Sequence, residues 1–530
     1  MKRLPLLLLI SLLLSSCGVF LQKTGVKNYS PKEKITHKGL NDYQYDFLYL
    51  SKLVEEGFPQ LDSIFQKDER EIQIEQILSK LATVENNTAF IIQGRKYLSN
   101  LKNQHTNISL DQEFKEVYPY VIYISLEDWY LLNLSKQYDS LHIGKKIVEI
   151  NGLGSREVEK RLIDFTLAEN KINQQAEISD LQLYNKPEYL KEIGLVKDNS
   201  ESLKLKFEDN SEIDLSLIST DNKVAVFDIS FKENQITQYK NETYLYKLYK
   251  EDNFGYIQFN RCHDKVDILE GIESYVKPWL QPLARGYVKR QFNKDKPSKR
   301  IANFYNPHYP IFKDFVWEFI DSLNENKVEN LIIDLRNNPG GNLTLGVQLI
   351  YFLTDKDTLK GFSEYAFTSD IYKKYFRKEY QKLKTKHPEG VPQRDLVLIN
   401  SDLNLFSEIT NENSNYFIPT TRPIFKGNIY ILSNYRTGSA AAMLTTLFQD
   451  NDVGTIIGTS VGNNPIGATT YTPMKLPKTK AEISIASTYI ERPKKEKGII
   501  QVPDIWVEYS INDLINGKDP YLEAVKREIW

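Results

Sequence analysis

The chain has 530 residues, too many for one simple core, so two to four domains are expected. Hydrophobic residues make up 41% and charged residues 26%, which is typical of an ordinary globular protein. Because the formal net charge at pH 7 is only -2, nothing points to a nucleic-acid partner.

The N-terminus has the pattern of an export signal. Lys2 and Arg3 precede an apolar run at residues 4–14, which is too short to span a bilayer as a mature helix. The run ends in Leu-Ser-Ser-Cys, which resembles the lipobox of bacterial lipoproteins, so Cys17 is expected to carry lipid. The alternative is an ordinary secretory signal with an incidental cysteine. We therefore predict a signal peptide at 1–17, a tether at 18–40 and lipid anchoring in a bacterial cell envelope, on the periplasmic face or the outer membrane.

The next two segments differ in the period of their apolar residues. Residues 41–110 repeat apolar positions every three or four residues, which predicts a helical N-terminal domain. Residues 111–224 are richer in strand-forming residues and contain "LHIGKKIVEINGLGSREVEKRLIDF", a strand, a turn at Asn151 and Gly152, and a helix. This run resembles the later part of a PDZ domain, although any strand–turn–helix unit would give the same pattern. A hairpin is expected near Asp209 and Asn210.

Residues 225–530 alternate buried-type strands with helices. The stretches "VENLIIDLRNNPGGN" and "GNIYILSNYRTGSAAAMLTTLFQD" each give a strand, a loop and a helix. Such crossover units predict a largely parallel sheet and an α/β core. Two basic stretches, 285–300 and 372–386, interrupt the pattern and are interpreted as solvated surface. The only cysteine besides Cys17 is Cys262, so no intramolecular disulfide framework is expected.

Ser439 opens the small-residue run of the second unit and has two interpretations. A serine in the first turn of a helix is most often a cap whose oxygen accepts a backbone N–H. A serine placed there after a strand and a loop also suits a nucleophile, because free N–H groups at a helix start favour negative charge. The stretch alone does not decide between the two.

Four stretches in order resemble one family, the carboxyl-terminal-processing and tricorn-type serine peptidases. They are "IIDLRNNPGG", "TGSAAAMLTTLF", "EKGIIQVPDI" and "INDLINGKDPYLEAV". The resemblance covers residues 225–530 strongly and extends upstream through the PDZ-like part. It implies a mixed α/β fold with a ClpP/crotonase-like peptidase core. It also implies Ser439 as the nucleophile, with the Ala440 amide as the first oxyanion donor and Gly340 or Gly341 as the second. A tight turn alone is the alternative for these glycines.

The base is implied by the same resemblance. Many members of this family use a lysine downstream of the serine, but Asn463 and Asn464 stand at that place here. The tricorn-type branch uses Ser, His and Glu instead, which implies His105 in "NQHTNI" as the base and Glu496 as the group that orients or polarises it. A lone histidine is more often structural than catalytic, and Lys475 is the nearest downstream lysine.

The resulting hypothesis is a lipid-anchored serine endopeptidase that cleaves polypeptides through an acyl-enzyme on Ser439. The alternatives are a relative that keeps the cleft but has lost turnover, and a lipoprotein that binds a small apolar ligand. No CxxC or HExxH pattern is present, so we expect no metal and no cofactor. The expected partners are a polypeptide substrate and the membrane, and the oligomeric state stays open.

Overall fold

The computed structural model describes residues 29–529 except 85, 113, 126–127, 199–200, 221–241, 277, 293–309 and 401–403. The predicted signal peptide with Cys17 and part of the predicted tether lie outside the described residues, as does residue stretch 293–300 of the first basic segment. Within the described residues, no helix is both long and apolar enough to cross a membrane.

Four helices form the N-terminal segment, as the apolar period predicts. A capping box starts the first of them, because Asn41 accepts the N–H of Gln44 and the Gln44 side chain accepts that of Asn41. The buried aromatic rings of Phe47, Phe65 and Tyr97 pack together at the centre of the segment. The helices are α1 (Asp42–Gly57), α2 (Leu61–Ile64), α3 (Lys67–Leu81) and α4 (Asn87–Leu98).

The middle unit is built around an antiparallel sheet, with helices packed against it. The turn at Asn151 and Gly152 and the hairpin at Asn210 form where the sequence predicts them, and all three residues have positive φ. The sheet order is β3-β4-β5-β7-β8, with β6 on β5. Likeness to a PDZ domain stays a prediction. The elements are β2 (Glu116–Val117), β3 (Tyr120–Ile124), β4 (Trp129–Leu134), β5 (Lys146–Ile150), β6 (Leu153–Gly154), α5 (Ser155–Ile163), α6 (Lys171–Asp180), α7 (Pro187–Glu192), β7 (Leu203–Phe207), β8 (Glu212–Leu215) and β9 (Ile218–Ser219).

A six-stranded sheet forms the core of the C-terminal half and confirms the mixed α/β class. Its order is β10-β11-β12-β15-β16-β19, and every pair is parallel except β10 with β11. The strands are β10 (Tyr244–Tyr249), β11 (Phe254–Phe259), β12 (Asn330–Asp334), β15 (Asn428–Ser433), β16 (Thr455–Gly458) and β19 (Ile505–Trp506).

Helices cover both faces of this sheet, as crossover connections require. The helix at Phe312–Glu325 buries one apolar face against it, and Leu323 lies so close to Gly255 that a Cβ there would be 2.2 Å from its Cδ2. The helices of this half are α8 (Lys265–Tyr275), α9 (Gln281–Phe292), α10 (Phe312–Glu325), α11 (Leu343–Tyr351), α12 (Asp370–Tyr375), α13 (Arg377–Lys386), α14 (Ala440–Asp450), α15 (Ile511–Asn516) and α16 (Pro520–Ile529).

A second, antiparallel sheet joins the N-terminal segment to the core. Its order is β1-β18-β13-β14, and β17 also pairs with β18. Strand β1 follows α4, and its Asn107 lies opposite Ser484 of β18. The chain around residue 105 is thereby held against the C-terminal half. The strands are β1 (Asn107–Ser109), β13 (Ser363–Phe367), β14 (Leu396–Asn400), β17 (Gly467–Lys475) and β18 (Glu482–Glu491).

Candidate active site

Ser439 stands between β15 and α14 in a conformation that few residues with a side chain adopt. Its φ is 48° and its ψ is -122°, and the surrounding strand–turn–helix unit holds it there. Its side chain makes no capping hydrogen bond to the helix, and the residue is exposed. The cap interpretation is therefore not supported by the geometry, and Ser439 lies exposed at the start of a helix.

The backbone amides at the helix start separate into bonded and free groups. The Ser439 N–H donates to Asn463 Oδ1 at 2.7 Å, and the Ala441 N–H donates to the Gly438 carbonyl at 3.0 Å. The Ala440 N–H has no hydrogen bond to another described residue, as expected for the first turn of a helix. It is available to an anion formed beside Ser439.

The glycine turn after β12 lies directly against the serine. Gly340 has a φ of 105°, and a Cβ on it would lie 2.8 Å from both Ser439 Cβ and Ala440 N. Its own N–H donates to Asn338 Oδ1 at 2.8 Å and is thus engaged. This close approach explains why glycine is needed at 340.

Gly341 contributes the other amide of this turn. Its φ is 136°, and a Cβ on it would lie 2.4 Å from the Cys262 carbonyl oxygen and 2.8 Å from His263 Nε2. We see no hydrogen bond from its N–H to another described residue. Of the two glycines that the sequence offers as the second oxyanion donor, Gly341 therefore has the available N–H.

His105 is brought to Ser439 by the pairing of β1 with β18. The Thr106 hydroxyl accepts the Ala486 N–H at 3.0 Å, and the Asn103 amide donates to the Ala468 carbonyl at 2.7 Å. His105 and Ser439 line one open pocket. No hydrogen bond joins their side chains, which is common in peptidases without substrate.

Glu169 is the carboxylate beside the imidazole. Its Oε1 lies 3.8 Å from His105 Nδ1, and its side chain is only 7% exposed. The Asn464 N–H donates to Oε2 at 2.6 Å, and the Asn463 amide donates to Oε1 at 3.3 Å. Sequence reasoning missed Glu169, because a glutamate one residue before the helix cap Asn170 carries no distinctive local signal.

Burial shifts the two titrating groups of the pocket in opposite directions. It lowers the pKa of His105 to about 4 and raises the pKa of Glu169 to about 7. The hydrogen bonds from Asn463 and Asn464 oppose the shift of Glu169 but do not cancel it. The imidazole is therefore neutral at pH 7 and able to accept a proton.

Glu496 and Lys475 lie away from this pocket. Glu496 is exposed in the short turn Lys495–Lys497 and makes no hydrogen bond or ion pair with a described residue. Lys475 is exposed on β17, where its Nζ lies 3.5 Å from Glu482. The structure does not bring Glu496 to His105, since Glu169 is the acid next to the ring, and a role for Glu496 stays a prediction. Among the described residues, no cluster of His, Cys, Asp or Glu is arranged to hold a metal ion.

Comparison with known proteins gives a match to one family model and similarity to solved structures. Residues 300–506 match the model of peptidase family S41. The chain is similar to mature CPAF, with 15% identity, a TM-score of 0.56 and coverage of 92% of this chain and 96% of that one. It is also similar to CPAF complexed with lactacystin, with 16% identity, a TM-score of 0.57 and coverage of 92% and 98%. At these identities the similarity shows the fold. No curated protein matches the chain.

Proposed function

Because residues 300–506 match peptidase family S41, we propose that this chain cleaves polypeptides through an acyl-enzyme on Ser439, with His105 as the general base. The observation that carries the proposal is the exposed serine with positive φ, which shares one pocket with a half-buried histidine that is neutral at pH 7. A nucleophilic serine needs such a base, and it also needs donors aimed at the developing oxyanion.

Acylation starts when Ser439 Oγ attacks the carbonyl carbon of the substrate. The hydroxyl proton passes to His105, and the carbonyl oxygen becomes an oxyanion that the amides of Ala440 and Gly341 can bind. The C–N bond then breaks, and the leaving amine takes the proton from His105. A water molecule repeats the sequence on the acyl-enzyme and restores the hydroxyl of Ser439.

The pocket next to the serine has a polar and an apolar side. Its apolar side contains Ala442, Met443, Pro465, Ala468 and Ile490. The match to a peptidase family supports a polypeptide substrate. We expect an apolar residue of that substrate, next to the cleaved bond, to contact this side.

A labelling experiment tests Ser439 against a matched serine. A fluorophosphonate probe should label the wild type and fail to label Ser439→Ala, whose melting temperature should be unchanged. Ser510 is the control, because its hydroxyl caps α15 by accepting the Asp513 N–H at 3.1 Å. Ser510→Ala should label normally and lose about 1 kcal/mol of stability. Labelling of Ser439→Ala at the wild-type rate would contradict the proposal.

The second candidate function is a binding protein without turnover. The observation that favours it is the presence of Asn463 and Asn464 at the place where many members of the family have a lysine. A wild-type protein that neither labels nor cleaves an unstructured polypeptide, but still binds it, would establish this alternative.

We also propose that Cys17 anchors the mature protein through lipid. The support is the basic n-region, the short apolar run and the Leu-Ser-Ser-Cys ending. Cys17→Ser should release the protein from membranes or leave it unprocessed. Mass spectrometry that finds an unmodified N-terminus at another residue would contradict the anchor.

A further inference from the structure

We propose that Glu169 is the positioning carboxylate for His105 and that Asn463 links it to the backbone of Ser439. This inference rests on the proposed function and adds the acid to it. It assigns a role to a segment of the middle unit, since Glu169 precedes α6 by one residue. The sequence stretches that resemble the peptidase family do not include this position.

The contacts of Glu169 leave one oxygen directed at the imidazole. Oε2 accepts the Asn464 N–H at 2.6 Å, and the backbone of Gln104 also hydrogen-bonds to the carboxylate. Oε1 faces His105 Nδ1 at 3.8 Å. That nitrogen is buried and has no hydrogen-bond partner in the resting structure.

Buried acids elsewhere in the described residues are held in two ways. Asp450 pairs with Arg492 at 2.7 Å and Asp334 with Arg336 at 2.6 Å. Asp46 and Asp264 instead accept backbone N–H groups and have no basic side chain within 4.0 Å among the described residues. Among the described residues, the only basic group within 4.0 Å of Glu169 is His105. A buried carboxylate without a permanent cation is costly, so a cation that forms only during the reaction would suit it.

Proton transfer supplies that cation. When Ser439 Oγ bonds to the substrate carbonyl, its proton moves to Nε2 of His105 and the ring becomes positively charged. The Nδ1–H of the imidazolium then points at Oε1 of Glu169, and the two opposite charges face each other in a buried site. The carboxylate thereby keeps the resting proton on Nδ1 and leaves Nε2 to accept the proton from Ser439.

Asn463 connects this acid to the nucleophile. Its Oδ1 accepts the Ser439 N–H at 2.7 Å, and its amide nitrogen donates to Glu169 Oε1 at 3.3 Å. The same nitrogen lies 3.4 Å from Gln104 Oε1, beside the histidine in the chain. One neutral side chain thus spans the serine backbone and the carboxylate, at the position where a lysine is expected by resemblance.

The test compares pH profiles of turnover on an unstructured polypeptide for the wild type and matched variants. Glu169→Gln keeps an acceptor for the Asn464 N–H but removes the charge. It should lower kcat at least 30-fold, leave KM within about twofold and remove the acid limb near pH 7. Glu169→Asp should recover part of the loss. Glu364 is the control, because burial also raises its pKa but it lies on β13 outside the pocket, so Glu364→Gln should behave as wild type.

Two results would overturn the proposal. One is a Glu169→Gln enzyme with the wild-type kcat and pH profile. The other is a loss of kcat in Glu496→Gln that exceeds the loss in Glu169→Gln, which would return the role to Glu496. In either case Ser439→Ala and His105→Ala report separately on the proposed function, because both should be inactive whichever acid assists the histidine.

Discussion

At the scale of single residues, two glycines with positive φ allow a comparison of alanine substitutions. One would add a close contact at the site as well as backbone strain, and the other would add backbone strain alone. Gly340→Ala would place a Cβ 2.8 Å from Ser439 Cβ, whereas a Cβ on Gly390 would meet no atom within 4 Å. Both substitutions strain the backbone, by about 1–3 kcal/mol. We expect both variants to melt earlier but only Gly340→Ala to lose fluorophosphonate labelling. Equal labelling of the two variants would show that the turn after β12 does not shape the site.

The charge of Glu169 has a predictable effect on stability. Its pKa is raised from 4.5 to about 7 in the folded state. Its contribution to the free energy of unfolding is therefore fully present below pH 4.5 and is lost as pH rises through 7. Glu169→Gln should therefore raise the free energy of unfolding by up to about 3 kcal/mol at pH 9 and leave it unchanged near pH 4. Denaturant unfolding at the two pH values checks this.

The exposed Glu496 is the control for that measurement. Glu496→Gln should show the same stability as the wild type at both pH values. A gain in Glu169→Gln that does not depend on pH would mean that desolvation of the carboxylate is not its cause.

Burial lowers the pKa of His105, and this changes the pH dependence that we expect for turnover. Its neutral form dominates above about pH 4, so His105 itself does not produce an acid limb near pH 6.5 in turnover. A histidine with the ordinary pKa of about 6.5 would give a fall in turnover around that pH. Burial could not be read from the residue types alone. Under the role that we propose for Glu169, whose pKa is raised to about 7, an acid limb is instead expected near pH 7.

At the scale of elements, the pairing of β1 with β18 positions His105, the base that we propose. Thr106 is buried, and its hydroxyl accepts the Ala486 N–H of β18. Thr106→Val would leave that N–H unsatisfied, at a cost of about 1–3 kcal/mol. Because His105 is the adjacent residue, we expect kcat to fall at least 10-fold, measured as turnover of a polypeptide substrate.

Thr368 provides a matched threonine for this prediction. It is also buried, and its hydroxyl accepts a backbone N–H, that of Asp395, at 3.3 Å. Thr368→Val should lose comparable stability and retain turnover. If both variants keep full turnover, the strand pairing does not control the histidine.

The parallel core was predictable from local patterns, and the second sheet was not. Alternating strands and helices predict crossover units, and these form β11, β12, β15 and β16 in the expected order. Strand β1, by contrast, pairs with a strand about 375 residues later in the chain. No local apolar period encodes such a partner, and the order of family motifs was the only signal that connected His105 with Ser439.

At the scale of the whole molecule, the site is assembled from three parts of the chain. The N-terminal segment supplies His105, the middle unit supplies Glu169, and the C-terminal half supplies Ser439 and its amides. This division explains why sequence motifs indicated some residues of the pocket and not others. Ser439 and the glycines lie in motifs of one half. The place of Glu169, the acid that we propose, depends on how the middle unit docks, which resemblance to a motif does not reveal.

Docking of the middle unit should therefore control turnover. Helix α6 contacts the loop at 461–464 through Asn170, whose amide donates to the Val461 carbonyl at 3.1 Å, and through Asn173, whose amide donates to the Gly462 carbonyl. Asn173→Ala leaves a buried carbonyl unsatisfied and loosens the loop that carries Asn463. We expect kcat to fall at least 10-fold, with a loss of about 1–3 kcal/mol in stability.

Asn185→Ala is the control for this prediction. It removes a buried amide that donates to the Tyr120 carbonyl inside the middle unit, so this variant should lose stability but keep kcat. Equal kcat in the two variants would mean that the middle unit does not act on the active site through this contact.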